Sequence, residues 1–153
     1  MAQFVKLNPD ALTALRQIDE RLVSYNVEMT EVTGGTFWKA YTDAQVDGTE
    51  EFPIIPDWLT AMGKLQQWYD PIDTTNKRLI HLAKELGTAW VRVSGTWANK
   101  TYYDFDNKYE GKVPAGFQNV LSKQQWLNLL DFVKAIDGKL LVSIANCPGI
   151  HAA

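Results

Sequence analysis

Residues 73–99 read DTTNKRLIHLAKELGTAWVRVSGTWAN, and the order of patterns inside them decides the fold class. Asp73-Thr74-Thr75 offers side chains suited to cap a helix N-terminus. Leu79, Leu82, Ala83 and Leu86 then recur at helical spacing, and Gly87 stands where a glycine commonly ends a helix. A strand follows at once over Ala89–Ser94. Its alternation puts Val91 and Val93 on one face and Arg92 and Ser94 on the other.

The same sequence of signals recurs downstream. Ser122 with Gln125 forms a capping-box pattern, and Trp126, Leu129, Leu130, Val133 and Ile136 make an apolar stripe that Gly138 closes. A strand is expected over 139–145, broken by Asn146-Cys147-Pro148-Gly149. Upstream, residues 22–28 read as a strand with Ser24, Asn26 and Glu28 on one face. Strand, helix, strand, helix, strand is the pattern of parallel βαβ units with right-handed crossovers. The expected class is therefore α/β.

Two long connections follow strands, at 29–73 and 96–121, whereas the helix-to-strand connection at Gly87-Thr88 is short. Residues 58–69 are expected to hold a short helix, and Phe4–Leu7 a weaker strand. Elaboration at the C-terminal ends of strands is where α/β folds build sites. Thr96 and Asn99 are placed there to hydrogen-bond hydroxyls, and Trp97 to form a wall. The plain alternative is that Trp97 caps the core and Asn99 satisfies its own loop. Tyr102, Tyr103 and Phe105 are expected to cover the same end. Glu28 ends its strand beside this rim. It can hold a sugar hydroxyl, or pair with Arg92, since a buried guanidinium needs acceptors. The two roles are compatible.

The 153 residues suffice for one domain, and the net charge of −3 argues against a general nucleic-acid binder. No apolar run is long enough to span a membrane, and the N-terminus lacks a signal-peptide core. Cys147 is the single cysteine, so no intrachain disulfide forms; the compartment stays open. Six Trp and six Tyr are many for this length and suit either packing or the stacking of flat ligand faces. His81 reads as a surface residue of its helix, and His151 has no partner at metal-ligand spacing. Gly34-Gly35 lacks the features of a phosphate loop. No cofactor and no metal are expected.

The stretches Ser24-Tyr25-Asn26-Val27-Glu28-Met29, Glu31-Val32-Thr33-Gly34-Gly35 and Phe37-Trp38 resemble the first barrel strand of family 79 glycoside hydrolases, the heparanase and β-glucuronidase family. Residues 91–99, VRVSGTWAN, resemble its second strand and rim. Pro114-Ala115-Gly116-Phe117, Gln125-Trp126 and residues 131–135 resemble the approach to its second helix and the helix itself. Ala145-Asn146-Cys147-Pro148-Gly149 resembles the end of its third strand. The resemblance runs from about residue 20 to residue 151.

The resemblance implies the N-terminal portion, strands 1–3 and helices 1–2, of a (β/α)₈ TIM barrel over residues 21–153. Residues 1–20 would form a segment that can join an appended β-sandwich. It implies a retaining hydrolase of uronic-acid glycosides, with two carboxyl groups about 5 Å apart. Glu28 would bind the terminal sugar, Thr96 and Trp97 would line the uronic-acid subsite, and Asn99 and Asn146 would lie near it. The family's acid/base follows the fourth strand, usually as an Asn-Glu pair, and no such dipeptide occurs here. No catalytic residue is therefore assigned within the chain, and both carboxylates are expected beyond residue 153. Three parallel strands leave edges and one face uncovered. The expected partners are a uronic-acid-containing glycan and a second polypeptide that completes the barrel, or a second copy. The alternative is a non-catalytic carbohydrate-binding or assembly fragment of the same fold; an α/β protein with no sugar role is the third possibility.

Overall fold

A computed structural model describes residues 5–6, 8–52 and 63–151. Three parallel strands organise them: β1 (Ser24–Glu28), β4 (Trp90–Ser94) and β7 (Lys139–Val142), in the spatial order β1-β4-β7. The elements between them are α1 (Met29–Thr33), β2 (Gly35–Trp38), α2 (Asp43–Val46), β3 (Gln66–Tyr69), α3 (Lys77–Glu85), β5 (Thr101–Asp104), β6 (Asn119–Ser122) and α4 (Lys123–Ala135). The chain is thus mixed α/β with a parallel sheet, as the alternation of patterns requires. The sheet is small and open.

One face of the sheet carries the core. Val91 and Val93 are fully buried, and Tyr25, Val27, Leu140 and Val142 pack beside them against Ala83 of α3 and Leu129, Phe132 and Val133 of α4. Tyr25 Oη also donates to the Ala83 carbonyl at 3.3 Å, tying β1 to α3. The opposite face shows Ser24, Asn26, Trp90, Arg92, Lys139 and Leu141 exposed. Parallel sheets normally bury both faces because their crossovers lay helices on each. Here both helices lie on one side.

Helix α4 begins as its sequence prescribes: Ser122 Oγ accepts from Gln125 N at 3.2 Å, and Gln125 Oε1 accepts from Ser122 N at 2.9 Å. At its far end Asp137, with φ of 50°, takes the left-handed position, and Gly138 N donates to Val133 O at 2.8 Å. The start of α3 differs from expectation. Asn76 is the cap, its Oδ1 accepting from Arg78 N and Leu79 N, because Asp73 is occupied by a local turn with Thr75. Leu82 and Leu86 of the expected stripe are exposed; Ala83 is the buried member of α3.

The two long connections contain structure that periodicity did not signal. The first folds α1, α2 and an antiparallel ribbon of β2 and β3, in which Gly35 faces Tyr69 and Trp38 faces Gln66. Residues 66–69 are therefore strand and not the end of a helix; residues 58–62 of that expected helix lie outside the described residues. The second connection holds β5 and β6, a parallel pair with Thr101 opposite Asn119 and Asp104 opposite Ser122. The third parallel strand is shorter than expected and ends at Val142. Of the strand expected at Phe4–Leu7, Phe4 and Leu7 lie outside the described residues.

Candidate functional site

Glu28 is the last residue of β1 and the residue preceding α1, with φ of −71° and ψ of 146°. Glu31 Oε2 accepts from Glu28 N at 2.7 Å, completing a capping box with the Glu28 side chain. In the sheet Glu28 stands opposite Ser94, so the next residue, Gly95, passes beside its carboxylate. A Cβ on Gly95 would overlap Glu28 Oε2. With φ of 97°, Gly95 also occupies a conformation that L side chains rarely adopt. Glycine here is what lets the second strand turn away while the carboxylate stays at the rim. Partial burial raises the Glu28 pKa above the usual carboxylate range; Glu31 adds to the rise and Arg92 opposes it.

The expected Glu28–Arg92 ion pair does not form. Arg92 Nη1 donates instead to Asn26 Oδ1 at 2.6 Å, and Ser94 Oγ donates to the same oxygen at 3.3 Å. Register explains the choice. Asn26 lies directly opposite Arg92, while Glu28 lies two residues further along and is engaged with the first turn of α1. The outcome is a polar row, Asn26-Arg92-Ser94, running along the sheet toward Glu28. It presents a guanidinium and a carboxylate from adjacent strands. Such a pair of groups can hold the carboxylate and hydroxyls of an acidic sugar.

The other predicted rim residues divide. Thr96 is exposed just past Gly95, within reach of solvent beside Glu28. Trp97 is half-buried and packs against the core, and its carbonyl accepts from Thr101 Oγ1 at 2.7 Å. Lys100 Nζ stands 6.0 Å from its ring centroid. The capping role is thus the one its contacts display. Asn99 and Asn146 come together through backbone: Asn146 N donates to Asn99 O at 2.9 Å, and both side chains are exposed. This bond joins the loops after β4 and β7 into one rim.

The aromatics of the 96–121 connection separate into two clusters. Tyr103 meets Phe105 and Trp126 edge-on, and its Oη donates to Ser143 O at 2.9 Å. Burial raises its pKa. Tyr102 points the other way, edge-on to Tyr109 and Phe117 at 5.0 and 5.2 Å between centroids. These rings line a cleft of about 550 Å³ bounded also by Lys108, Ile144 and Gly149. Tyr103 also lines this cleft, so the two tyrosines share it, while Phe105 packs on Tyr103 and Trp126 outside its lining.

A buried polar knot was missed altogether. Asn119 Nδ2 donates to Thr33 Oγ1 at 2.6 Å, Thr33 Oγ1 donates to Met29 O at 2.9 Å, and Gln125 Nε2 donates to Thr33 O at 3.2 Å. It fixes α1, and with it Glu28, against β6 and α4. Among the described residues no group of three or more His, Cys, Asp or Glu side chains is arranged to hold a metal ion. No helix among them is long and apolar enough to cross a membrane. Compared with known proteins, the chain matches no family model, no curated protein and no solved structure.

Proposed function

We propose that the chain is the N-terminal part of a retaining glycoside hydrolase acting on β-glucuronides or related uronic-acid glycans, and that it supplies the rim of the sugar subsite. The observation that carries this reading is the placement of the Glu28 carboxylate at the C-terminal end of β1, against the side-chain-free Gly95 and beside the Asn26-Arg92-Ser94 row. Strand ends with convergent polar groups are where α/β barrels bind substrate. The open sheet face, with Arg92 on it, would then be the interior of a (β/α)₈ barrel. Its missing strands would come from a second polypeptide or from sequence beyond these residues.

Glu28 alone cannot run the two-carboxyl chemistry of retention. Its acidic neighbour Glu31 is held to the Glu28 backbone as a cap. The pair of catalytic carboxyl groups would therefore project from strands other than these three. In that arrangement Glu28 accepts hydrogen bonds from hydroxyls of the terminal sugar, and Arg92 sets the positive potential for a uronate. A non-catalytic carbohydrate-binding or assembly role fits the same rim, and the presence there of one carboxylate where retention needs two favours it as the second reading.

The test measures intact mass, glucuronate binding and hydrolysis of a chromogenic β-glucuronide on one purified sample. Turnover accompanied by a second polypeptide supports the hydrolase. Glucuronate binding weakened by Glu28→Gln, with no turnover and a lone 17.3 kDa species, supports the binding module. Absence of any preference for glucuronate over a neutral sugar sinks both.

A further inference from the structure

The β2–β3 ribbon places two tryptophans on one face and leaves both open to solvent. Thr36 stands opposite Trp68, and Trp38 opposite Gln66, so alternation sets these four side chains on the same side. Trp38 is 47 % exposed and Trp68 63 %. Exposed indoles in such proximity are unusual in a surface with no binding role. Diagonal neighbours on one face of an antiparallel pair stand about 7–8 Å apart, so each ring can take a separate flat ligand face.

Trp68 is held in place. Its Nε1 donates to Asp70 Oδ1 at 3.4 Å, and it lies over Gly34, where a Cβ would stand 3.2 Å from its Cζ2. At the far end of the ribbon Lys39 and Lys64 are adjacent: Lys39 N donates to Leu65 O at 2.9 Å and Lys39 Nζ to Lys64 O at 2.7 Å. Among the described residues neither lysine has an ion-pair partner. The ribbon is rooted at Gly35, across the five residues of α1 from Glu28. The helix itself is about 7.5 Å long.

We infer that this ribbon is an accessory site for a carboxylated polysaccharide. Trp38 and Trp68 stack on apolar sugar faces, Thr36 and Gln66 bond hydroxyls, and Lys39 and Lys64 meet uronate carboxylates. Rings interleaved with an amide and a hydroxyl suit a sugar better than a dry protein interface, which disfavours uncommitted polar groups. The lysines select an anionic chain over a neutral one. The polymer class rests on the proposed function; the stacking face does not.

The experiment is affinity electrophoresis of the 153-residue chain through gels containing hyaluronan, with hydroxyethyl cellulose as the neutral control. Hyaluronan should retard the chain, and Trp38→Ala or Trp68→Ala should each weaken retardation by about tenfold, a shift equivalent to one lost stacking contact. Lys39→Glu with Lys64→Glu should abolish it, and added salt should weaken it in the unaltered chain. Because Trp68 touches Gly34, the Trp38→Ala result decides if Trp68→Ala misfolds by circular dichroism. Retardation unchanged in Trp38→Ala, no retardation by hyaluronan, or equal retardation by the neutral polymer each overturns the inference. So does a concentration-dependent dimer that Trp38→Ala dissolves, since the face would then join two copies. If Trp38→Ala weakens retardation by hyaluronan while glucuronate binding at the rim proves absent from the unaltered chain, the proposed function fails and the ribbon site stands.

Discussion

Gly95→Ala tests the placement of Glu28 most directly. Two costs add. An alanine at φ of 97° is strained whatever the space around it, by about 1–3 kcal/mol. Its Cβ would also displace the Glu28 carboxylate, and losing that side chain from the start of α1 costs about 0.5–1 kcal/mol. The expected loss is about 1.5–4 kcal/mol. With an m-value of about 2 kcal/mol/M, the urea midpoint should fall by about 1–2 M. The decisive comparison is the same substitution in a Glu28→Ala background. There the carboxylate is already gone and the strain alone should remain, giving a coupling of about 0.5–1 kcal/mol. Equal costs in the two backgrounds would show that Glu28 does not lie against Gly95. No cost in either would refute the backbone conformation as well.

Glu28→Gln should change how stability varies with pH. The raised Glu28 pKa means the folded chain holds the proton more tightly than the unfolded chain, so the wild type loses stability as pH rises from the ordinary glutamate pKa of about 4.3 through the raised one, and the variant gains on it over that window. A difference in urea midpoint that stays flat across that window would contradict the assignment. Leu121→Ala, at a fully buried position, should cost about 2–5 kcal/mol, whereas Leu82→Ala, 52 % exposed, should stay within about 0.5 kcal/mol. Thermal melts of the pair distinguish a core that ends at Ala83 from one that includes the outer leucines. Asn26→Ala should cost about 0.5–1.5 kcal/mol by removing the acceptor shared by Arg92 and Ser94; an unchanged urea midpoint would mean that water replaces it fully.

The parallel sheet and its two helices were legible because each element carries its own signal. Ser122 and Gln125 sit at capping-box spacing, the α4 stripe repeats at helical period, and Val91 and Val93 alternate with Arg92 and Ser94. The β5–β6 pair had no such mark. Thr101–Asp104 sets two adjacent tyrosines on opposite faces and packs each into a different aromatic cluster, so neither period appears. Its partner lies across a connection that includes left-handed Asn107 and Glu110; asparagine favours that conformation, but the glutamate gives no warning of its turn. The Asn119–Thr33 knot joins residues 86 apart in sequence, a contact that local pattern cannot reveal.

The site shows a subtler limit. Alternation alone put Asn26, Glu28, Arg92 and Ser94 on the polar face of their strands, and the structure keeps them there. What alternation could not supply was the register. Sliding one strand by a single residue would turn every side chain to the other face and expose the valines. Sliding it by two leaves the buried pattern intact and sets Glu28 opposite Arg92. The apolar residues cannot separate those two arrangements. Gly95 can. In the observed register it is the residue that passes beside Glu28, and a Cβ there would overlap the carboxylate. After a two-residue slip Val93, its side chain turned to the core, would stand beside Glu28, and Gly95 would lie beyond the end of β1. The turn that begins at Gly95, closed by Ala98 N donating to Gly95 O at 3.1 Å, would then start past the rim instead of at it. The turn and the carboxylate therefore fix the register together, and the Arg92–Asn26 bond follows from it.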